Sequence, residues 1–344
     1  RGLGDVYKRQ DYRLLQMTNE IERFYQSRDI LGESYLPTQA PRYTEIPTFM
    51  RVPHITDLSR VDIGFIGIPY DGGLTCRTGA RYGPREVRNQ SSMMRAINVA
   101  TGIHPLDLCR VADIGDVRFR NAFNLEDAIE DIRRYYCAIA AANIIPIGVG
   151  GDHSVTYPIL KALRAHSAEP FALVHIDAHT DTWPEYSGSK YHHGAPFRLA
   201  ADEGLIDPHK TLQIGIRGGQ NFADGLDYSR EKGMRVITIE EFEDMGWREV
   251  ANEIHARVGG SPVYLSFDID GLDPVYAPGT GTPESGGITM REAQRLLRAL
   301  SGLNYVGADL VEVSPPLDPS GNTSLNGATL LFEMLCLLAQ SRVV

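Results

Sequence analysis

Three short stretches of the chain bring oxygen and imidazole donors together at close spacing. They are Gly150-Gly151-Asp152-His153-Ser154, Asp177-Ala178-His179-Thr180-Asp181 and Ser266-Phe267-Asp268-Ile269-Asp270. In an extended segment residues i, i+2 and i+4 share a face, so Asp177, His179 and Asp181 can converge on one point, as can Asp268 and Asp270. Carboxylates converging at the end of a buried strand need either raised pKa values or cations between them. Four Asp with two His is too much negative charge for one divalent ion and suits two. The set contains oxygen and imidazole but no thiolate, which favours Mn²⁺ over Zn²⁺ and leaves Fe and Co open. A plainer account makes these Asp residues caps of the helices that follow. It would serve for the DxD alone, but capping does not call for His153 and His179 as well.

Something must present these stretches, and each follows a β-rich apolar run, over residues 144–149, 171–176 and 263–267. Further strands are expected at 61–68, 111–116, 211–216, 234–239 and 304–311. Between them helical patterns are read at 84–97, 125–142 with Asn124 as cap, 154–166, 247–258 and 290–300, with a shorter helix from about Pro196 and a last one from about Gly327. Strands alternating with helices require right-handed crossovers, hence a single three-layer α/β/α domain around a mostly parallel sheet. Ligands of such sheets bind outside the carboxyl ends of the strands, where all three stretches fall. The glycine-rich loop 71–83 also follows a strand and could rim the site, but it lacks GxxxxGK[ST] and the glycine order of GxGxxG.

The 344 residues divide into three parts. Residues 1–10 show neither periodicity nor caps and read as a non-native scar, 11–55 as a peripheral helix (14–26) followed by an extended surface arm, and 56–344 as the catalytic domain. Apolar residues make up 42%, enough for a sizeable core, and 34 Lys and Arg against 44 Asp and Glu leave a net charge of −10. That balance argues against nucleic acid or an anionic membrane surface as partner. The four cysteines, Cys76, Cys109, Cys137 and Cys336, are scattered without a CxxC pair, which points to the reducing cytoplasm. The longest apolar run near the C-terminus, residues 330–339, is interrupted by Glu333 and too short to span a bilayer.

Taken together, GGDHS, DAHTD and the run SFDIDGLDPVYAPGTGTPE from Ser266 to Glu284 resemble the signature stretches of the ureohydrolases, the family of arginases, agmatinases and guanidino-acid hydrolases. The similarity extends from about Ile46 to the C-terminus. It implies an arginase-like fold, a binuclear Mn²⁺ centre with two ions per subunit, hydrolysis of a guanidinium group to urea and an amine, and a homo-oligomer, trimer or hexamer. By the same resemblance His153, Asp177, Asp181 and Asp268 would hold one ion and Asp177, His179, Asp268 and Asp270 the other, with Asp181 also counted among the catalytic residues. His193, or its neighbour His192, would shuttle the proton to the leaving amine. Glu312, in Asp309-Leu310-Val311-Glu312-Val313-Ser314-Pro315, would grip the substrate guanidinium.

The segment 182–192 departs from the Asn- and Ser-containing loop by which arginases recognise the α-amino and α-carboxylate groups, so free arginine is disfavoured. Trp183, Tyr186 and Tyr191 would form a bulky wall there, with Lys190 or Arg81 available for a substrate carboxylate. The stretches around residues 46–51, 83–89 and 193–198 look most like the guanidinopropionase and guanidinobutyrase branch, with a small guanidino acid ranked ahead of agmatine. Two rivals stand beside this reading. A binuclear phosphoesterase would need a cationic clamp near DAHTD, and none is evident; a metal-stabilised binding subunit would take up metal without releasing urea.

Overall fold

The computed structural model describes residues 20–220 and 223–343. Eight strands alternate with helices: β1 (Ile63–Ile68), β2 (Val111–Asp116), β3 (Ile145–Gly150), β4 (Phe171–Ile176), β5 (Ile206–Ile216), β6 (Arg235–Thr238), β7 (Pro262–Asp268) and β8 (Asn304–Val311). They form one sheet in the order β2-β1-β3-β8-β7-β4-β5-β6. Every pairing is parallel, which goes beyond the mostly parallel sheet expected. Strands sandwiched between helices bury both faces and read as continuous apolar runs. Accordingly all six residues of β1 and of β4 are buried.

The helices form two layers. Helices α1 (Gly83–Ser91), α5 (Ile239–Val258), α6 (Met290–Ala299) and α7 (Asn322–Val343) pack against one another in the order α5-α6-α7-α1. Helices α2 (Leu125–Ala141), α3 (Thr156–Arg164) and α4 (Pro196–Asp202) form the second group. The caps explain several boundaries. Asn124 accepts from the Asp127 N–H at the start of α2, and Thr289 with Glu292 closes a capping box on α6. Among the described residues no helix is long and apolar enough to cross a membrane.

Some boundaries differ from expectation. Helix α1 stops at Ser91 rather than near 97, in a series of turns through Met94. Helix α5 begins at Ile239, since Thr238 caps it, and is kinked at Gly246, whose φ of 74° is non-helical, so the start read at 247 is that of its second half. Helix α7 begins at Asn322 instead of Gly327. Residues 20–25 are helical, whereas residues 1–10, expected to be a scar, and the first part of the helix expected over 14–26 lie outside the described residues.

The arm does not simply lie on the surface. Phe49 and Val52 are buried, and the Phe49 N–H donates to Asp113 Oδ2 over 3.1 Å. Asp113 N–H donates to Pro53 O, and Ile55 N–H to Asp113 O, both at 3.0 Å, so the arm covers the open edge of β2. Arg88 secures this corner with a two-pronged bond to Asp113, at 2.8 and 3.1 Å, while its guanidinium lies over the Phe49 ring.

Candidate metal centre

The four central strands, β3, β8, β7 and β4, are contiguous in the sheet although scattered along the chain. The proposed site residues lie at or just beyond their carboxyl ends, but turns rather than strand alternation bring them together. After β3, Gly151 passes so close to Tyr70 O that a Cβ would sit 1.5 Å from it, and only glycine fits. Asp152 then caps the turn His153–Val155 by accepting from Ser154 N–H at 2.9 Å. Strand β4 ends at Ile176, before Asp177, and Asp181 lies at φ 49°. Asp268 closes β7 and Asp270 lies in the turn Ile269–Gly271, while Glu312 follows β8 at φ 64°. The shared strand face read for Asp177, His179 and Asp181, and for Asp268 and Asp270, is therefore not the reason they meet.

They do meet. His153 Nδ1 lies 3.2 Å from Asp177 Oδ2, 3.0 Å from Asp181 Oδ2 and 3.1 Å from Asp268 Oδ2, and all four side chains are buried. No hydrogen bond of proper geometry engages that nitrogen. Donors crowded at this spacing without being directed at each other suit a common cation. On the other side, His179 Nδ1 lies 3.3 Å from Asp177 Oδ1 and 3.4 Å from Asp270 Oδ2. Ligand atoms of Asp177, His179 and Asp270 fall within 4.8 Å of one another. Asp177 thus presents one oxygen to each group of donors. The Asp268 contacts run through Oδ2 to His153, while Oδ1 accepts from the Asp270 N–H at 2.9 Å. The residues present fit two divalent cations.

The electrostatics agree. Burial, reinforced by the charges of Asp270 and Asp177, pushes the Asp268 carboxyl far above its ordinary range. Burial, with Asp177 adding to it against an opposing His179, pushes Asp270 up to about 6. Burial also acts on Asp177, but the rings of His175, His153 and His179 outweigh it and hold that carboxyl low. Burial disfavours charge on His153 and His179, yet the carboxylates around them drive both well above the usual imidazole value. A pocket that retains protons this strongly is one that cations can occupy instead.

A second set of side chains aims the first. Asp309, Ser266, His175 and Gln213 stand at paired positions on β8, β7, β4 and β5 and form a buried polar row across the sheet. His153 Nε2 lies 2.9 Å from Ser266 Oγ, whose hydroxyl donates to Asp309 Oδ1 at 2.6 Å, so Nε2 carries the hydrogen and Nδ1 is left for the metal. His175 Nε2 lies 2.7 Å from Asp177 Oδ2. Sequence reasoning missed this row. The available signal was the strand period, since Ser266 and His175 each precede a ligand by two residues.

Glu312, fully buried, accepts the His153 N–H at 2.9 Å through Oε1, which is also 3.3 Å from His193 Nδ1, and its Oε2 has no partner. Burial disfavours a charged His193, but Glu312 overrides it and raises its pKa to about 9. Its other nitrogen lies 2.7 Å from Thr75 Oγ1. His192 faces away, with Nε2 2.9 Å from Pro184 O, and burial lowers its pKa. Trp183 is half-buried, its N–H bonded to Gly194 O, and Tyr186 is 50% exposed. Tyr191 instead packs on Tyr157 of α3, and Lys190 lies over the Tyr191 ring. Arg81 is engaged by the buried Asp71 carboxylate, which removes it as a free clamp for a substrate carboxylate.

Comparison with known proteins places this geometry. The profile of the arginase family matches residues 61–336. The chain is 52% identical to the guanidinopropionase of Pseudomonas aeruginosa over 304 residues, covering 88% of this chain and 95% of that protein. It is 48% identical to a mitochondrial agmatinase of Gallus gallus over 291 residues, 85% of each. Among solved structures, the proclavaminate amidino hydrolase of Streptomyces clavuligerus superposes with a TM-score of 0.84 at 43% identity, covering 89% of this chain and all of that one.

Proposed function

Because the chain belongs to the arginase family, we propose that it hydrolyses the guanidinium group of a small guanidino acid, such as 3-guanidinopropionate or 4-guanidinobutyrate, to urea and an amine. The observation that carries this reading is the buried His153 Nδ1 with three carboxylate oxygens 3.0–3.2 Å away. His153, Asp177, Asp181 and Asp268 would hold one cation and Asp177, His179, Asp268 and Asp270 the other, manganese being the metal proposed for both. When bound, two such cations lower the pKa of a shared water toward neutrality.

The chain's own residues do the rest. Glu312 Oε2, buried and unpartnered, accepts the planar N–H donors of the guanidinium, while Oε1 stays tied to His153 N–H and His193. This holds the guanidinium carbon facing the metal ligands. Asp181, besides binding metal, accepts a hydrogen bond from the attacking water. Attack leaves a tetrahedral carbon whose departing amine needs a proton, and His193, kept protonated at neutral pH by Glu312, gives it from Nδ1. Trp183 and Tyr186 border the entrance and select the length and end group of the substrate. The 48% identity to an agmatinase makes agmatine the second candidate. A homotrimer or hexamer in the cytoplasm completes the proposal, the free state of all four cysteines suiting that compartment.

A urea assay with added Mn²⁺ over arginine, agmatine, 3-guanidinopropionate and 4-guanidinobutyrate tests this reading. The highest kcat/KM is expected with a guanidino acid. Turnover of agmatine alone would transfer the assignment, and metal uptake without urea from any of the four would leave a binding subunit.

A further inference from the structure

One buried cation has no part in the chemistry above. Arg217 follows β5, is 7% exposed, and among the described residues has no carboxylate within ion-pair distance. Its guanidinium is spent entirely on main-chain carbonyls. Nη2 donates to Asp270 O at 2.6 Å, Glu284 O at 2.8 Å and Leu272 O at 3.1 Å. Nη1 donates to Gly215 O at 3.1 Å and Gly271 O at 3.2 Å, and Nε to Glu284 O at 3.1 Å. Its own N–H donates to Ala178 O at 2.9 Å, between Asp177 and His179. The pocket is tight, because a Cβ on Gly287 would lie 2.4 Å from Nη2.

A guanidinium placed in apolar surroundings carries a desolvation cost, and an ordinary loop staple could be built from neutral donors. The segments joined by Arg217 are particular ones. The guanidinium joins the turn presenting Asp270 to the end of β5 and to the Glu284 end of the signature run, while the turn between Asp177 and His179 is held by the main-chain N–H alone. Neither His153 nor Asp181 is among its partners. We propose that the Arg217 side chain is the positioning residue for Asp270, a ligand of the second cation only, and so maintains that ion's affinity without engaging His153 or Asp181, the ligands of the first alone. This rests on the two-cation reading given under Proposed function.

The rigid fork matters more than the charge. A lysine keeps the charge but offers three donors from one atom, too few to bridge five carbonyls on separate turns. Calorimetric titration of metal-free protein with Mn²⁺, paired with electron paramagnetic resonance at two equivalents, tests this. The unaltered protein should take two ions and give the multiline spectrum of a coupled pair. Arg217→Met and Arg217→Lys should each keep the first affinity, weaken the second by about 10- to 100-fold, and give the six-line signal of isolated Mn²⁺. Two unchanged affinities, or equal loss of both ions, would overturn the proposal, the latter marking a merely structural residue. Should neither variant fold, Gly287→Ala, whose Cβ would press on Nη2 and also on the Asp273 N–H, must weaken the second ion selectively, or the proposal fails. If the unaltered protein itself takes fewer than two ions, the two-cation reading falls, and this inference with it.

Discussion

His153 illustrates how one side chain is aimed from both ends, since Ser266 fixes Nε2 and thereby frees Nδ1 toward Asp177, Asp181 and Asp268. Removing one of those partners has a direct cost. Asp181→Asn should lower both metal content and turnover by about 100-fold or more, at least what outer partners of a metal contribute, as read by metal analysis and steady-state rates. Asparagine is the informative choice, since it tolerates the left-handed backbone at φ 49°. His193→Ala should retain both ions and lose about 10²- to 10⁴-fold in kcat, whereas His192→Ala, whose ring faces Pro184 O, should lose far less. The pH dependence follows from the raised pKa of His193. An acid catalyst must be protonated, so kcat should fall as pH rises through about 9. In Glu312→Gln the negative charge raising that value is gone, and the alkaline limb should move down; an unmoved limb in the residual activity would detach His193 from this role. The six proposed metal ligands could be picked out of the sequence because they fall in three short contiguous stretches. Ser266, His175 and Asp309 were not, since their importance depends on which strands are neighbours.

Strand adjacency is where sequence patterns stop informing. All eight strands could be read from their apolar runs, yet the order β3-β8-β7-β4 at the centre of the sheet has no local signature. Helix ends were less legible where a tertiary contact decides them. Thr238 starts a first turn of α5 ahead of the kink after which a start was read, and α1 ends after Ser91, whose hydroxyl accepts the Met50 N–H of the arm at 2.9 Å. The buried row across the sheet makes a testable claim about these elements. Ser266→Ala leaves β7 paired but strips His153 of its anchor and Asp309 of a donor. Affinity for the first ion should drop by about 10- to 100-fold with little change in metal-free melting temperature. A loss of thermal stability with metal affinity intact would reduce the row to ordinary core polarity.

At the scale of the whole molecule, the proposed centre should couple metal binding to the fold. Ligands crowded at the ends of three central strands, β3, β4 and β7, repel one another until cations are present, so chelation should lower the melting temperature and Mn²⁺ restore it. Stabilisation of about 4 kcal/mol is expected when free metal exceeds its dissociation constant 1,000-fold. A melting curve indifferent to chelator would contradict a centre built at the heart of the sheet. The strand order carries one more consequence. Strand β8, last in the chain, lies between β3 and β7 and, among the described residues, is the only strand pairing β2-β1-β3 with β7-β4-β5-β6. A nascent polypeptide halted before Asn304 would carry His153 on one half-sheet and the five other ligands on a separate one, each with a raw inner edge open to wrong pairing. Assembly of the proposed metal centre during synthesis must therefore wait until the ribosome has released nearly everything it has to make.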